Sequence, residues 1–379
     1  MSNTLTNVLP TILARGGLAL RQNAIMARLV YRDLESYAMR AGNVITVPIP
    51  SAITARAVTP GVTWATNVDF APTANNVTLD SWWEAPFQLS DNDKISSDPM
   101  ILPMEASEAI KALGNKIDSS ILAAHVGFFG YTGTQGTTPF QSSLSAAFNA
   151  KKILTQNLAA IDGRVAVIDP SAEFYLGQNT QVLQSEQRGD QQGIINGTIG
   201  RKIGFDWYVD QNITTFTPGT GWVTGFSVST TTGVAGANTL HVLNATASGT
   251  ILVGDLFTLG SDSKQYVVTA AVTVAATTGL DLTIYPALSA AASLGTTLAV
   301  VGSTAYTVNM AFHPLGWAFA SRPFNADPLG VNFQLPVDPV SGVALRLEVA
   351  RQYKQTTFSY DALWGTRVIR RELGCKIFG

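Results

Sequence analysis

One amphipathic stretch constrains this chain more than any other, the run from Met104 to Phe128, MEASEAIKALGNKIDSSILAAHVGF. Ile110, Leu113, Ile117, Ile121 and Ala124 are spaced by three, four, four and three residues, which stacks them on one face of an α-helix. Glu105, Glu108, Lys111, Lys116 and Asp118 fall largely off that face. Pro103 suits the first helical position, where its missing N–H costs nothing. The glutamates near the start complement the positive end of the helix dipole. At ~1.5 Å per residue the helix spans roughly 35 Å. Gly114 is its weak point, at about 1 kcal/mol relative to alanine. A helix of this length needs a large body over its apolar stripe, and the flanking segments say what kind.

Ahead of it, residues 1–40 read as a helical arm, broken by Gly16-Gly17 into two pieces. Arg15, Arg21, Arg28, Arg32 and Arg40 outnumber Asp33 and Glu35 there. Those arginines fit either a solvated helix face or contact with an acidic partner. From Asn43 the period changes: Val44, Thr46 and Pro48 begin one strand, and Val77, Leu79, Trp82 and Trp83 lead through a second to Phe87. The Thr/Ala/Asn-rich stretch between them, residues 51–76, predicts a long hairpin projecting from the body. A connection that long is uncommon in a compact domain and is usually functional or held by a partner.

After the long helix, a second amphipathic helix is predicted over Ser142–Ala159, with Leu144, Phe148, Ile153, Leu154 and Leu158 on its apolar side. Val165–Ile168 reads as a short buried strand closed by Asp169-Pro170, with Ser171 as the cap of the next helix. Phe205, Trp207 and Val209 form a further strand. Between Phe216 and Ser303 charge then nearly vanishes, leaving Asp255, Asp262, Lys264 and Asp281. Strands are predicted there at 222–229, 239–243, 251–259, 265–270 and 280–285, the regular spacing of a small barrel or sandwich. Mixed structure resumes at Tyr306; Leu345, Leu347 and Val349 alternate with Arg346 and Glu348, and strands are expected at 356–360 and 366–370 with Gly365 in the turn. The β block therefore interrupts an α+β body that begins before it and finishes after it.

No catalytic constellation emerges. His125, His241 and His313 fall in different predicted elements without a second metal ligand at suitable spacing. Cys375 is the single cysteine, which excludes a disulfide framework and a cysteine-rich metal site. Gly219, Gly221 and Gly225 miss the dinucleotide spacing, and Gly193, Gly197, Gly200 and Gly204 fit either an anion cradle or a loop with several positive φ angles. No catalytic, cofactor-binding or metal residue is assigned. Arg367, Arg370, Arg371 and Lys376 form a terminal basic cluster, suited to salt bridges between subunits or to nucleic acid. The net charge of −2 argues against a polycation, and no run of ~18 apolar residues suggests a membrane span. No basic residue precedes the apolar residues of the N-terminus, so the reading is a soluble, unprocessed protein. Charged residues make up only 13% of the chain, about half the usual share, as expected if other subunits cover much of the surface.

The order of these parts resembles the major capsid proteins of tailed bacteriophages, the Hong Kong ninety-seven-like fold, and within it the P-twenty-two-like coat proteins with an inserted β domain. The residues that carry the resemblance are Phe87-Gln88-Leu89-Ser90-Asp91 followed by Ala112–Asp118, then Val165–Pro170, Gly200–Phe205, Ile251–Phe257, and Tyr360–Gly365 with Arg370-Arg371-Glu372. The resemblance implies an arm over 1–40, an extended hairpin over 41–90, a peripheral and axial body over 91–215 and 305–379 with the spine helix at about 104–128, and an inserted all-β domain over 216–304. It further implies hexamers and pentamers of an icosahedral shell around double-stranded DNA. Such a shell is assembled with scaffolding and portal proteins in the host bacterial cytoplasm, and its subunit ends in the virion without enzymatic activity. Ile110, Leu113, Ile117 and Ile121 are the expected spine core; Arg15, Arg21, Arg28, Arg32, Trp82, Trp83, Arg370 and Arg371 are the candidate inter-subunit contacts. The competing reading is a β-rich adhesin or carbohydrate-binding protein, with Trp222, Tyr266 and Tyr285 as a sugar platform.

Overall fold

The computed structural model describes residues 24–32, 34, 42–51, 53, 55–58, 60–61, 71–96, 101–179, 182, 199–222, 225–229, 233–243, 248–260, 262, 264–275, 279–302, 304–324, 331–334, 338 and 341–379. Most of the arm, the tip of the long hairpin and Gly193 and Gly197 lie outside these residues.

A short helix α1 (Met26–Leu29) precedes the hairpin strands β1 (Val44–Ile49) and β2 (Thr73–Thr78), antiparallel with Ile45 opposite Val77. Strand β3 (Ser81–Ser90), helix α2 (Asp91–Ser96) and the long helix α3 (Ile101–Ala123) follow, the last ending in a 3-10 turn over Ala124–Gly127. Next come β4 (Gly130–Thr132), α4 (Ser145–Gln156), β5 (Val165–Ile168), α5 (Pro170–Gln178), β6 (Arg201–Lys202), β7 (Phe205–Val209) and β8 (Thr215–Phe216). The β-rich unit contains β9 (Ser227–Val228), β10 (Thr239–Leu243), β11 (Gly249–Ile251), β12 (Leu256–Leu259), β13 (Gln265–Val268), β14 (Val272–Val274), β15 (Leu280–Tyr285) and β16 (Leu298–Val300). The chain returns through β17 (Tyr306–Phe312), β18 (Trp317–Arg322), β19 (Val331–Gln334), β20 (Arg346–Gln352), β21 (Gln355–Val368) and β22 (Gly374–Phe378).

Two sheets build the body. The first runs β18-β21-β20-β19, with β3 along the other edge of β21. Because side chains alternate across a strand, Trp317, Phe319, Leu347, Phe358, Tyr360 and Trp364 face the main core, while Ala318, Ala320, Leu363 and Ile369 face away beneath the hairpin base. The second sheet runs β4-β22-β17-β5-β7-β6. Its Val165, Val167, Met310 and Phe312 turn to the main core, and Ala166, Ile168, Ala311 and Ile377 turn to α4 and α5.

Helix α3 lies against the first sheet. Ile110, Leu113, Ile117 and Ile121 are buried in one cluster with Leu345, Leu347, Tyr360, Trp364 and Val368, each side chain contributing roughly 1.5–3 kcal/mol by burial. The helix begins at Ile101, two residues before the proline expected to open it, so Pro103 occupies the third helical position, still within the turn that lacks intrahelical N–H partners. Asp118 departs further from expectation: it is fully buried. Helix α1 covers α3 from a second side, with Ala24, Met26, Ala27 and Val30 in the same core. Asp118 accepts the Ile25 and Met26 amides at 2.8 and 3.1 Å, satisfying donors that a short helix leaves open. Burial, followed by the nearby Asp210, pushes its carboxyl up to about 8, against the pull of those amides.

Three further differences have local causes. Gly365 lies inside the single 14-residue strand β21, opposite Ala320, rather than in a turn between two strands. Helix α4 ends at Gln156: the Leu158 amide bonds Thr155 O and the Ala159 amide bonds Leu154 O, the Schellman pattern, with Leu158 at the left-handed position. Its φ of 59° turns a side chain expected in the core outward, to 91% exposure. Phe148, placed on the same apolar face by its spacing, is likewise exposed. For α5 the cap is Asp169, accepting from the Ser171 amide at 3.1 Å, with Pro170 first in the helix.

The β-rich unit has its own core of Trp222, Phe226, Phe257, Tyr266, Leu282, Ile284 and their neighbours. Its six-stranded order is β16-β12-β13-β15-β10-β9. A bridge between Ser227 and Thr297, with hydrogen bonds from Val228 N–H to Thr296 O and from Leu298 N–H to Phe226 O, joins the two ends into a barrel. Closure removes the sheet edges that a charge-poor sequence has few means to protect.

Candidate assembly surfaces

The hairpin is fixed to the body at its base. Ile45, Val77 and Leu79 pack on Ala318, Ala320, Leu363 and Ile369. Asn75 Nδ2 donates to Ile369 O at 2.7 Å, Arg367 Nη1 to Asn76 O at 2.9 Å, and Arg322 Nη1 to Gly42 O at 2.7 Å. Farther out, Ile53 and Val58 are exposed at 78% and 89%. A projecting element with apolar side chains in water is suited to burial against another surface.

Strand β3 carries the two adjacent tryptophans on opposite sides. Trp82 stacks in a tilted contact with Phe324 at 5.5 Å and donates from Nε1 to Asp361 Oδ2 at 3.0 Å. Asp361 is held in turn by the Arg346 guanidinium, which lies over the Phe324 ring at 4.3 Å. Trp83 lies beneath the Lys116 ammonium at 3.9 Å. Both rings remain exposed, at 62% and 47%, yet each is oriented by a polar or cationic partner, which lowers the ordering entropy of a later contact.

Of the candidate arginines, Arg15 and Arg21 lie outside the described residues. Arg28 is exposed and its Nε donates to Ala24 O at 3.1 Å; Arg32 is half-buried beyond the end of α1. Arg370 and Arg371 sit half-buried between the hairpin base and the barrel. Lys376, grouped with them by sequence proximity, belongs elsewhere. Fully buried in β22, it donates to Gly254 O at 3.2 Å. Burial holds its ammonium down at about 7 against the attraction of Asp255 and Cys375.

That lysine marks the junction of barrel and body. Asp255 accepts from Trp222 Nε1 at 2.7 Å and from the amides of Leu252 and Gly219, while burial raises its carboxyl. Gln265 acts as a surrogate strand: its amide donates to Tyr131 O at 2.8 Å and accepts from Tyr131 N–H at 2.9 Å, closing the free edge of β4. Tyr285 O–H donates to Glu372, Phe129 packs against the Tyr285 ring, and Leu256 and Val267 belong to the main core. Among the described residues His125 meets no carboxylate: its Nδ1 bonds Leu122 O at 2.9 Å and its ring stands on Phe216. Burial, then Lys376, holds it near 3. None of these contacts was legible in the sequence, because Gln265, Tyr131 and Gly254 fit no motif.

The sugar-platform reading fails on burial. Trp222 and Tyr266 are 7% and 0% exposed inside the barrel, and Tyr285 is engaged with Glu372 and Arg371. His241 does have a carboxylate partner, Asp281, across the β10–β15 pair at 2.6 Å; strand register, invisible at a separation of 40 residues, brings them together. Among the described residues no cluster of three or more metal-ligating side chains occurs, and no helix is long and apolar enough to cross a membrane.

The fold is similar to that of solved phage capsid structures. The capsid structure of the cyanophage P-SCSP1u matches with a TM-score of 0.54 at 12% identity, covering 94% of this chain and 88% of that one. A structure from Mycobacterium phage Che8 matches at 0.52 with 16% identity, covering 93% and 90%. The mature capsid of bacteriophage PhiM1 matches at 0.50 with 10% identity, covering 94% and 87%. No family model and no curated protein sequence matches the chain.

Proposed function

We propose that the chain is the repeating subunit of a phage capsid, self-assembling into hexamers and pentamers of an icosahedral shell around double-stranded DNA. The observation that carries this reading is the extent of the shared fold, which spans 94% of the chain in the match to the cyanophage capsid. The hairpin beyond a well-anchored base supports it, since that element carries exposed apolar residues, Ile53 and Val58, that a neighbouring surface would bury. The role is structural rather than catalytic. Arg15, Arg21, Arg28, Arg32, Trp82, Trp83, Arg370 and Arg371 are assigned to contacts with neighbouring copies; interfaces of this obligate kind bury about 2,000 Å² or more and close into rings when heterologous. The barrel is the inserted domain, and scaffolding and portal proteins are the expected assembly partners. Sedimentation of the purified chain, alone and with its scaffold, tests the proposal: large, discrete species are expected. Deletion of residues 51–72 should leave the body folded and abolish those species. Unchanged assembly of the deletion variant contradicts the role given to the hairpin.

A further inference from the structure

A cleft of about 510 Å³ opens where three parts of the chain meet. One wall is the hairpin base (Ile49, Pro50, Thr73, Asn75), another the barrel (Asn238, Thr269, Thr283, Tyr285), and the floor is Ile369–Glu372. Its volume falls within the roughly 300–1,000 Å³ of ordinary ligand sites. The charge inside is one-sided. Arg370 and Arg371 both line it, and among the described residues no carboxylate lies within ion-pair distance of either. The one acidic lining residue, Glu372, is occupied by the Tyr285 hydroxyl. Arg371 is already oriented, its guanidinium over the Tyr285 ring at 5.0 Å. Thr73, Asn238 and Thr283 add neutral donors and acceptors around the pair, while Asn75 Nδ2 and Thr269 Oγ1 are engaged by the carbonyls of Ile369 and Thr283 and brace the walls.

We infer that this cleft binds a carboxylate-bearing peptide segment, with Arg370 and Arg371 clamping its acidic side chains and the Asn and Thr side chains bonding its backbone. A guanidinium fork matches a carboxylate in two parallel hydrogen bonds, and two half-buried guanidinium groups that no carboxylate of the described residues pairs gain more from such a bond than solvated ones. Duplex DNA is the poorer fit. It presents a charge about every 1.7 Å along a convex backbone and selects extended cationic surfaces, whereas these two groups are recessed between three walls. The segment comes from a neighbouring copy or from a separate assembly protein.

Fluorescence anisotropy on the full chain tests this with a labelled hexaglutamate peptide and, as the competing class, a labelled oligonucleotide duplex. The peptide should bind saturably, at least tenfold tighter than to Arg370→Ala/Arg371→Ala, and should weaken at high salt. Single Arg370→Ala, a change at a half-exposed position, should lose several-fold affinity with an unaltered circular dichroism spectrum. Absence of peptide binding, equal binding by the variants, or binding of the oligonucleotide alone overturns the inference. If peptide binding is lost and self-association is weakened too, the segment is a neighbour's; if self-association is intact, it belongs to another protein. Either result upholds the site, and because binding is read on single subunits, failure of the shell proposal leaves the outcome interpretable.

Discussion

A Cβ placed on Gly365 would stand 2.1 Å from the carbonyl oxygen of Thr78. The first sheet and the hairpin thus touch backbone to backbone at the point where β2 gives way to β3, and the obstacle is main chain that cannot rotate aside. Gly365→Ala should detach the hairpin base from β21 and destabilise the chain by about 3 kcal/mol, the upper range for overpacking. Thermal denaturation and limited proteolysis near Thr78 check it. A variant with wild-type melting temperature means that the two backbones can separate freely.

Helix α3 bears the main core, so Leu113, 2% exposed, is sensitive to both size and charge. Leu113→Ala should lose about 2–5 kcal/mol through transfer and cavity terms. Leu113→Asp places a carboxyl there without a partner, and no soluble subunit should be recovered. Normal expression of the aspartate variant removes α3 from its place at the centre of the body.

The Asp118 carboxyl holds the arm through the amides of Ile25 and Met26. Its folded-state value near 8 exceeds the ordinary 3.8, so the folded state binds the proton more tightly. The associated stability is fully present below about pH 4 and is lost as pH rises through about 8. The difference in unfolding free energy between wild type and Asp118→Asn should therefore decrease between those limits. A pH-independent difference contradicts the buried, protonated carboxyl. Asp118→Ala, which leaves the amides without an acceptor, should expose residues 24–30 to proteases.

His125 has the opposite dependence. Its imidazole is held at about 3, below the ordinary 6.5, so the unfolded chain binds the proton first, and stability present above pH 6.5 is lost on acidification toward 3. His125→Phe should flatten that part of the melting-temperature profile. Parallel profiles for the two proteins would show that this histidine is solvated.

Leu158 sits in left-handed backbone with its side chain in water, a conformation that costs a non-glycine residue about 1–2 kcal/mol. Leu158→Gly should raise the stability of the isolated subunit by about 1 kcal/mol in chemical denaturation. A loss of stability would mean that the leucine makes contacts within the subunit.

The elements legible in the sequence are those whose partner is a broad apolar surface. The stripe Ile110–Ile121 announces α3, and the alternation of Leu280, Leu282 and Ile284 announces β15, because periodicity records which face meets the core. What stayed illegible depends on a particular long-range neighbour. Gly365 reads as a turn until Thr78 is placed over it, and Asp118 reads as surface until α1 supplies its amides. Lys376 reads as part of a basic cluster until the barrel turn at Gly254 covers it. Trp222 and Tyr266 look like a binding platform because a residue string does not say which side of a closed barrel is inside. For the assembly surface the same division holds: Trp82, Trp83, Arg370 and Arg371 are visible as residue types, while the cleft that Arg370 and Arg371 line depends on where the hairpin base and the barrel meet.

Electron microscopy of the chain expressed with and without its scaffold is the most direct measurement of the central claim. The account predicts rings or closed shells with five- and six-fold clusters of subunits, in which the hairpin of one copy lies on the next. A compact monomer under every condition, with the hairpin intact, would contradict it.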